Sequence, residues 1–226
     1  MKVLFVGHDI SYVDFYYSIE KELLQRIAFS SLHLYFRPSA WLYAKLHLGL
    51  PAVSPFLRRF FLGFFGAQKT TMGTLDLRFY PSSKDATQRR KLIQLYRDYS
   101  KFIQCSLSNT NFDVAVLPGE YRIFEQATID VINSLKQPPK VIYFEAGPPG
   151  YVYFDTNGVN ANASFAATGI SKLIANIDIS KITLSNDSVR RSHFARKSLI
   201  ALDTVWLWLA KNTIGLLDLE ELWVAN

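Results

Sequence analysis

The sequence predicts an α/β protein of Rossmann-like character, an open parallel sheet with flanking helices. Three observations lead there. Short apolar runs alternate with longer stretches whose apolar residues recur at helical spacing. The alternation starts at once, as strand, helix and strand within the first 36 residues. The runs close on turns that carry Gly7, Gly119 and Gly147.

Each element has its own justification. Lys2 to Val6 (KVLFV) is an apolar run ending at Gly7, and Tyr12, Phe15, Tyr16, Ile19, Leu23 and Ile27 then mark one face of a helix. Ser31 to Phe36 (SLHLYF) is the second strand, and a strand-helix-strand unit of this length implies a parallel pair joined by a right-handed crossover. Lys84 to Leu107 carries Leu92, Leu95, Tyr96, Tyr99, Phe102 and Ile103 on one helical stripe, and Asp113 to Leu117 (DVAVL) follows as a strand. Glu120 to Leu135 is helical in pattern until Pro138-Pro139, and Val141 to Phe144 (VIYF) is an apolar run of a length that suits only a buried strand.

The composition sets bounds on function. The 226 residues are 49% apolar and 19% charged, which excludes a disordered chain. The net charge is +6, and the basic residues are not interleaved with any nucleic-acid-binding module, so no nucleic acid is expected as a partner. One cysteine, Cys105, excludes an internal disulfide, and with four scattered histidines it makes no zinc spacing, so no metal site is expected. The apolar run at the N-terminus is shorter than the hydrophobic region of a secretory signal, and no stretch reaches the roughly 20 residues of a spanning helix. The expectation is a cytoplasmic protein.

In an open parallel sheet the ligand crevice lies outside the carboxyl ends of the strands. That rule places Gly7-His8-Asp9, Pro118-Gly119-Glu120 and Glu145-Ala146-Gly147 on one rim. No G-x-G-x-x-G follows the first strand and no G-x-x-x-x-G-K-[ST] occurs, so neither a dinucleotide nor a P-loop nucleotide has its phosphate cradle and no cofactor is expected. His8-Asp9 reads either as a functional pair or as a structural strand end.

From Glu145 to Ser164 the chain runs EAGPPGYVYFDTNGVNANAS, dense in Gly, Pro and Asn directly after a strand. By composition it is two turns flanking a short hairpin strand, Tyr151 to Asp155. The order of its residues, Phe144, Glu145 and Gly147, then Asp155, then Gly158, Val159, Asn160 and Ser164, resembles the signature of the bacterial capsule polysaccharide biosynthesis proteins. That family contains the retaining β-Kdo glycosyltransferases. Phe112 to Arg122 (FDVAVLPGEYR) resembles the same family's strand, polar loop and helix start.

The resemblance implies a cytoplasmic enzyme that transfers Kdo from a CMP-Kdo donor to a polysaccharide or glycolipid acceptor, built of two Rossmann-like halves in the GT-B manner. No second half is legible after Ser164. The expectation is one α/β domain over residues 1–226, corresponding to the acceptor-side half, with residues 185–226 a helical extension. A non-catalytic glycan-binding or assembly module is the competing expectation, and an α/β enzyme of unrelated chemistry stays open.

Glu145 is the catalytic candidate, because a carboxylate just past an apolar strand is partly desolvated, which suits proton transfer; its plain alternative is to cap a loop amide or pair with an arginine. Gly7, His8, Gly147, Asp155, Asn160 and Ser164 are the candidate substrate-binding set, with Asp155 and Asn160 equally suited to organising their loop. A retaining double displacement also needs a carboxylate nucleophile, and none of Asp203, Asp218, Glu220 and Glu221 aligns with one.

Two further segments bear on partners. Pro55 to Lys69 (PFLRRFFLGFFGAQK) places Leu57, Phe60, Phe61, Phe64 and Phe65 on one helical stripe, with Arg58 and Arg59 off it. It is either a core helix or an interfacial helix on an anionic membrane, which would make the protein peripheral at the inner face of the cytoplasmic membrane. Arg190, Arg191, Arg196 and Lys197 form a basic group that either meets phosphate or is solvated.

Overall fold

The computed structural model describes residues 1–55, 73–107, 110–146, 152–159, 199, 201 and 203–205. It is an α/β structure built on one six-stranded, mostly parallel open sheet with helices on both faces.

Strand β1 (Lys2–Gly7) is buried from Val3 onward, as a central parallel strand must be, because helices cover both of its faces. Helix α1 (Ile10–Leu24) starts at Asp9, whose side chain accepts a hydrogen bond from the Ser11 amide at 2.9 Å. The helix ends three residues short of the predicted stripe. The amides of Arg26 and Ile27 bond back to Leu23 as the chain turns toward the next strand, and Leu24 and Ile27 are left exposed.

Strand β2 (Ser30–Tyr35) pairs parallel with β1, Lys2 opposite Ser30 through Gly7 opposite Tyr35. Helix α2 (Pro38–Leu48) and strand β3 (Ala52–Val53) follow, neither of them expected from the sequence. Pro38 opens α2 and Gly49, at φ 65°, closes it in the left-handed conformation that glycine adopts without strain. Its apolar residues fall on every side rather than in a stripe, so periodicity does not reveal it.

After two short 3₁₀ turns (Leu77–Phe79 and Pro81–Lys84) come helix α3 (Ala86–Leu107), strand β4 (Val114–Leu117), helix α4 (Ile123–Asn133) and strand β5 (Lys140–Ala146). Strand β6 (Val152–Asp155) runs antiparallel to β5, Glu145 facing Tyr153 and Tyr143 facing Asp155. The sheet is therefore parallel except at this edge, where the hairpin of the composition-based expectation forms. The strand order is β3-β2-β1-β4-β5-β6, so the order reverses between β1 and β4.

The alternation of side chains along β1 divides the core in two. Val3 and Phe5 pack with Val13, Tyr16 and Ala44 of α1 and α2, whereas Leu4 and Val6 pack with Leu95, Ile103, Ala127 and Ile132 of α3 and α4. No helix among the described residues is long and apolar enough to cross a membrane.

Candidate functional site

Because β1, β4 and β5 are parallel neighbours, their carboxyl ends share one edge. The predicted rim exists: Gly7-His8-Asp9, Pro118-Gly119-Glu120 and Glu145 are brought to it. The reversal of strand order between β1 and β4 places the crevice between the first two of these loops.

Gly7 is buried where β1 meets α1. A Cβ there would stand 2.8 Å from the Tyr12 Cβ and 3.1 Å from the Tyr35 ring, so the residue is glycine for close packing. Its carbonyl accepts the Phe36 amide and the His8 carbonyl accepts the Arg37 amide, both at 3.0 Å, which carries the β1–β2 ladder out to the rim.

His8 is 4% exposed, and its Nε2 lies 2.7 Å from Oε1 of Glu125, a residue of the first turn of α4 that is 3% exposed. The contact spans the gap between β1 and β4. The other oxygen of Glu125 accepts the amides of Tyr121 and Arg122, each at 3.2 Å. Burial pushes the Glu125 carboxyl up, but the hydrogen bond with His8, the charge that its ring carries when protonated, the charge of Arg122 and its amide outweigh this and hold it below the ordinary carboxylate range. A Cβ on Gly119 would come within 3.1 Å of the same carboxylate, so a side chain there would require the carboxylate to give by a few tenths of an ångström. The rings of Tyr12, Phe36 and Phe124 meet the His8 imidazole edge-on at 5.9 to 6.1 Å.

Glu125 is the site residue that the sequence reading misses. The available signal is its place at the third position of a helix after a polar loop, where a carboxylate caps the amides before it.

Glu145 is half-buried near the end of β5. Alternation along the strand puts it on the α3/α4 side with Tyr143, and its charge reaches the Tyr121 hydroxyl. That phenol is raised by burial, by a hydrogen bond with Glu120, and by the charges of Glu120 and Glu145. Tyr143 is pushed up to about 12 by burial and by Glu120 and Glu125. Carboxylates and phenols thus gather above β4 and β5, a set suited to holding hydroxyl groups.

Asp155 ends β6, and its side chain accepts the Asn157 amide at 2.8 Å, so it organises the turn into Gly158. Asp9 caps α1. Gly147, Asn160 and Ser164 lie outside the described residues, as do residues 56–72, which hold the amphipathic segment, and the basic group at Arg190 to Lys197.

Sequence analysis also leaves Asp203 without a role. It is buried against the start of α2, where it accepts the Ser39 amide at 3.0 Å and the Ser39 hydroxyl. Burial raises its carboxyl, only partly offset by those hydrogen bonds and by Arg37. No group of three or more His, Cys, Asp or Glu side chains able to hold a metal ion occurs among the described residues. No family model matches the chain, and no curated protein matches it.

Proposed function

We propose that the chain is the acceptor-side α/β half of a glycosyltransferase, acting in the transfer of Kdo from CMP-Kdo to a cell-surface polysaccharide or glycolipid. The observation that carries the reading is the convergence on one rim of His8, Glu120 and Glu145 from the ends of three neighbouring parallel strands and of Glu125 from the first turn of α4, with Tyr121 and Tyr143 between them. Such a set offers acceptors for sugar hydroxyls and carboxylates for proton transfer. Phe144 and Glu145, the first residues that resemble the capsule family's signature, lie near the end of β5 at this rim. A peripheral position at the inner face of the cytoplasmic membrane fits a lipid-linked acceptor and the aromatic stripe of residues 56–65 with Arg58 and Arg59 beside it.

The test is transfer in a donor-competent context: the protein, supplied together with a CMP-Kdo-binding half, is incubated with CMP-Kdo and a lipid-linked glycan acceptor, and CMP release is followed. Glu145→Gln in the same assay keeps the shape and removes the exchangeable proton; we expect the variant to melt as the parent does and to turn over about 10² to 10⁴ times more slowly. Acceptor binding without CMP release would leave a glycan-binding module. Unchanged turnover in Glu145→Gln would remove that residue from the chemistry.

A further inference from the structure

Among the described residues are two buried histidine–carboxylate pairs, and they differ in one respect. His33, in the middle of β2, is fully buried with both ring nitrogens engaged: Nδ1 with the Tyr35 hydroxyl at 2.9 Å and Nε2 with Glu20 at 3.2 Å. It is a satisfied core group. His8, at the crevice, has Nε2 on Glu125 at 2.7 Å, while its Nδ1 makes no hydrogen bond among the described residues and is not one of the side-chain atoms sealed without a partner.

We propose that His8 is the proton acceptor of the crevice, receiving the proton of a ligand hydroxyl at Nδ1 while Glu125 orients the ring through Nε2. The identity of that hydroxyl as a glycan's rests on the glycosyl-transfer reading above; the role of the ring does not.

The assignment follows from which atoms hold protons. An ionised carboxylate only accepts, so the nitrogen that faces Glu125 carries the hydrogen. In its neutral form the ring has one hydrogen, which leaves a lone pair on Nδ1. Burial at Oε1 and the two amides at Oε2 keep Glu125 in place as the ring's orienter, the part a carboxylate plays for histidine in hydrolytic triads. A lone pair selects the ligand's chemistry. It attracts a hydroxyl or another donor, and it repels a carboxylate or phosphate oxygen.

The step balances without a further reactant. The hydroxyl O–H bond breaks and its proton passes to Nδ1, giving an imidazolium whose Nε2–H stays on the Glu125 carboxylate. The oxygen's electron pair forms the new bond to the anomeric carbon. The group that carried the sugar leaves with the electrons of its old bond, and the imidazolium returns the proton to solvent.

Two measurements on the full chain test this. The first records the ring ¹⁵N shifts of His8 near neutral pH, without and with millimolar methyl glycoside of Kdo as a hydroxyl probe that cannot be transferred. We expect Nε2 protonated, Nδ1 bare, and an Nδ1 signal that moves with the probe while both His33 nitrogens stay still. A proton on Nδ1, or an Nδ1 signal indifferent to the probe, overturns the proposal.

The second is the transfer assay with His8→Gln, which retains an N–H toward Glu125 and removes Nδ1. We expect kcat to fall about 10² to 10⁴-fold with KM little changed and the acidic limb of the pH–rate profile lost. A parental pH profile in His8→Gln overturns it. Should the parent itself show no transfer, the glycosyl-transfer reading falls, and the nitrogen shifts still decide the role of His8.

Discussion

Replacing Glu125 with alanine is the perturbation that most directly probes the seam between β1 and β4. The carboxylate receives His8 Nε2 at 2.7 Å and two backbone amides at 3.2 Å, and both members of the pair are almost wholly buried. Its removal strands an imidazole and two amides where water enters poorly. Breaking a buried pair by deleting one partner costs about 3–5 kcal/mol. For a chain of this size each kcal/mol moves the melting temperature by about 2–4 °C, so Glu125→Ala should melt about 6–20 °C below the parent. Glu125→Gln keeps an oxygen for the amides and loses the charge, so its cost should be smaller.

The pH dependence supplies a second signature. The folded-state pKa of Glu125 lies below the ordinary carboxylate value. Its contribution to stability is therefore fully present above that ordinary value, near 4.3, and is lost as pH falls through the lower folded value. Urea unfolding of parent and Glu125→Gln from pH 7 down into the acid range should converge at the acid end. The His8→Gln/Glu125→Gln cycle should show a coupling of about 0.5–3 kcal/mol. An alanine variant that melts within 2 °C of the parent, or additivity in the cycle, would refute the pair as a stabilising contact.

Other outcomes follow from particular contacts. Gly7→Ala drives a methyl to 2.8 Å from the Tyr12 Cβ and should destabilise by about 1–3 kcal/mol, read by urea midpoint at unchanged slope. Asp203 has a raised folded pKa, so its contribution weakens as pH climbs from the ordinary aspartate value through the folded one; Asp203→Asn should flatten stability over that span and leave the protein at least as stable near pH 7. Its failure would be an unchanged pH profile. If residues 56–65 attach to membranes, anionic vesicles should co-sediment the protein at low salt and release it when Arg58 and Arg59 become Ser or when salt is raised.

The strands and helices that the sequence reveals are those whose burial is one-sided or complete over a run. β1 and β5 read as apolar runs because helices cover both faces, and α3 reads as a stripe because its opposite face is wet. α2 escapes because it is apolar all round and only eleven residues long, although Pro38 and Gly49 mark its ends. Glu125 escapes for a different reason. A carboxylate inside a helix normally signals a solvated face, and its burial here depends on His8, 117 positions earlier in the chain. Local pattern carries no trace of such a meeting. The rim, in contrast, follows directly from strand direction, so His8, Glu120 and Glu145 are legible as strand-end residues, whereas Glu125, which meets His8 from the following helix, is not.

The place of β1 in the sheet has a bearing on synthesis. β2 fills one hydrogen-bonding edge of β1 as soon as the first 35 residues are out, but the other edge waits for β4, which begins at Val114. At about 5–20 residues per second a ribosome takes about 5–20 s to make the 107 residues from His8 through Val114. During that time an unpaired edge stays open, and Leu4 and Val6 lack the α3 and α4 side chains that later cover them. Nascent chains stalled short of Val114 should thus engage holdase chaperones and aggregate when released, whereas chains stalled far enough beyond Ala146 for β5 to clear the exit tunnel should resist protease over their first two strands.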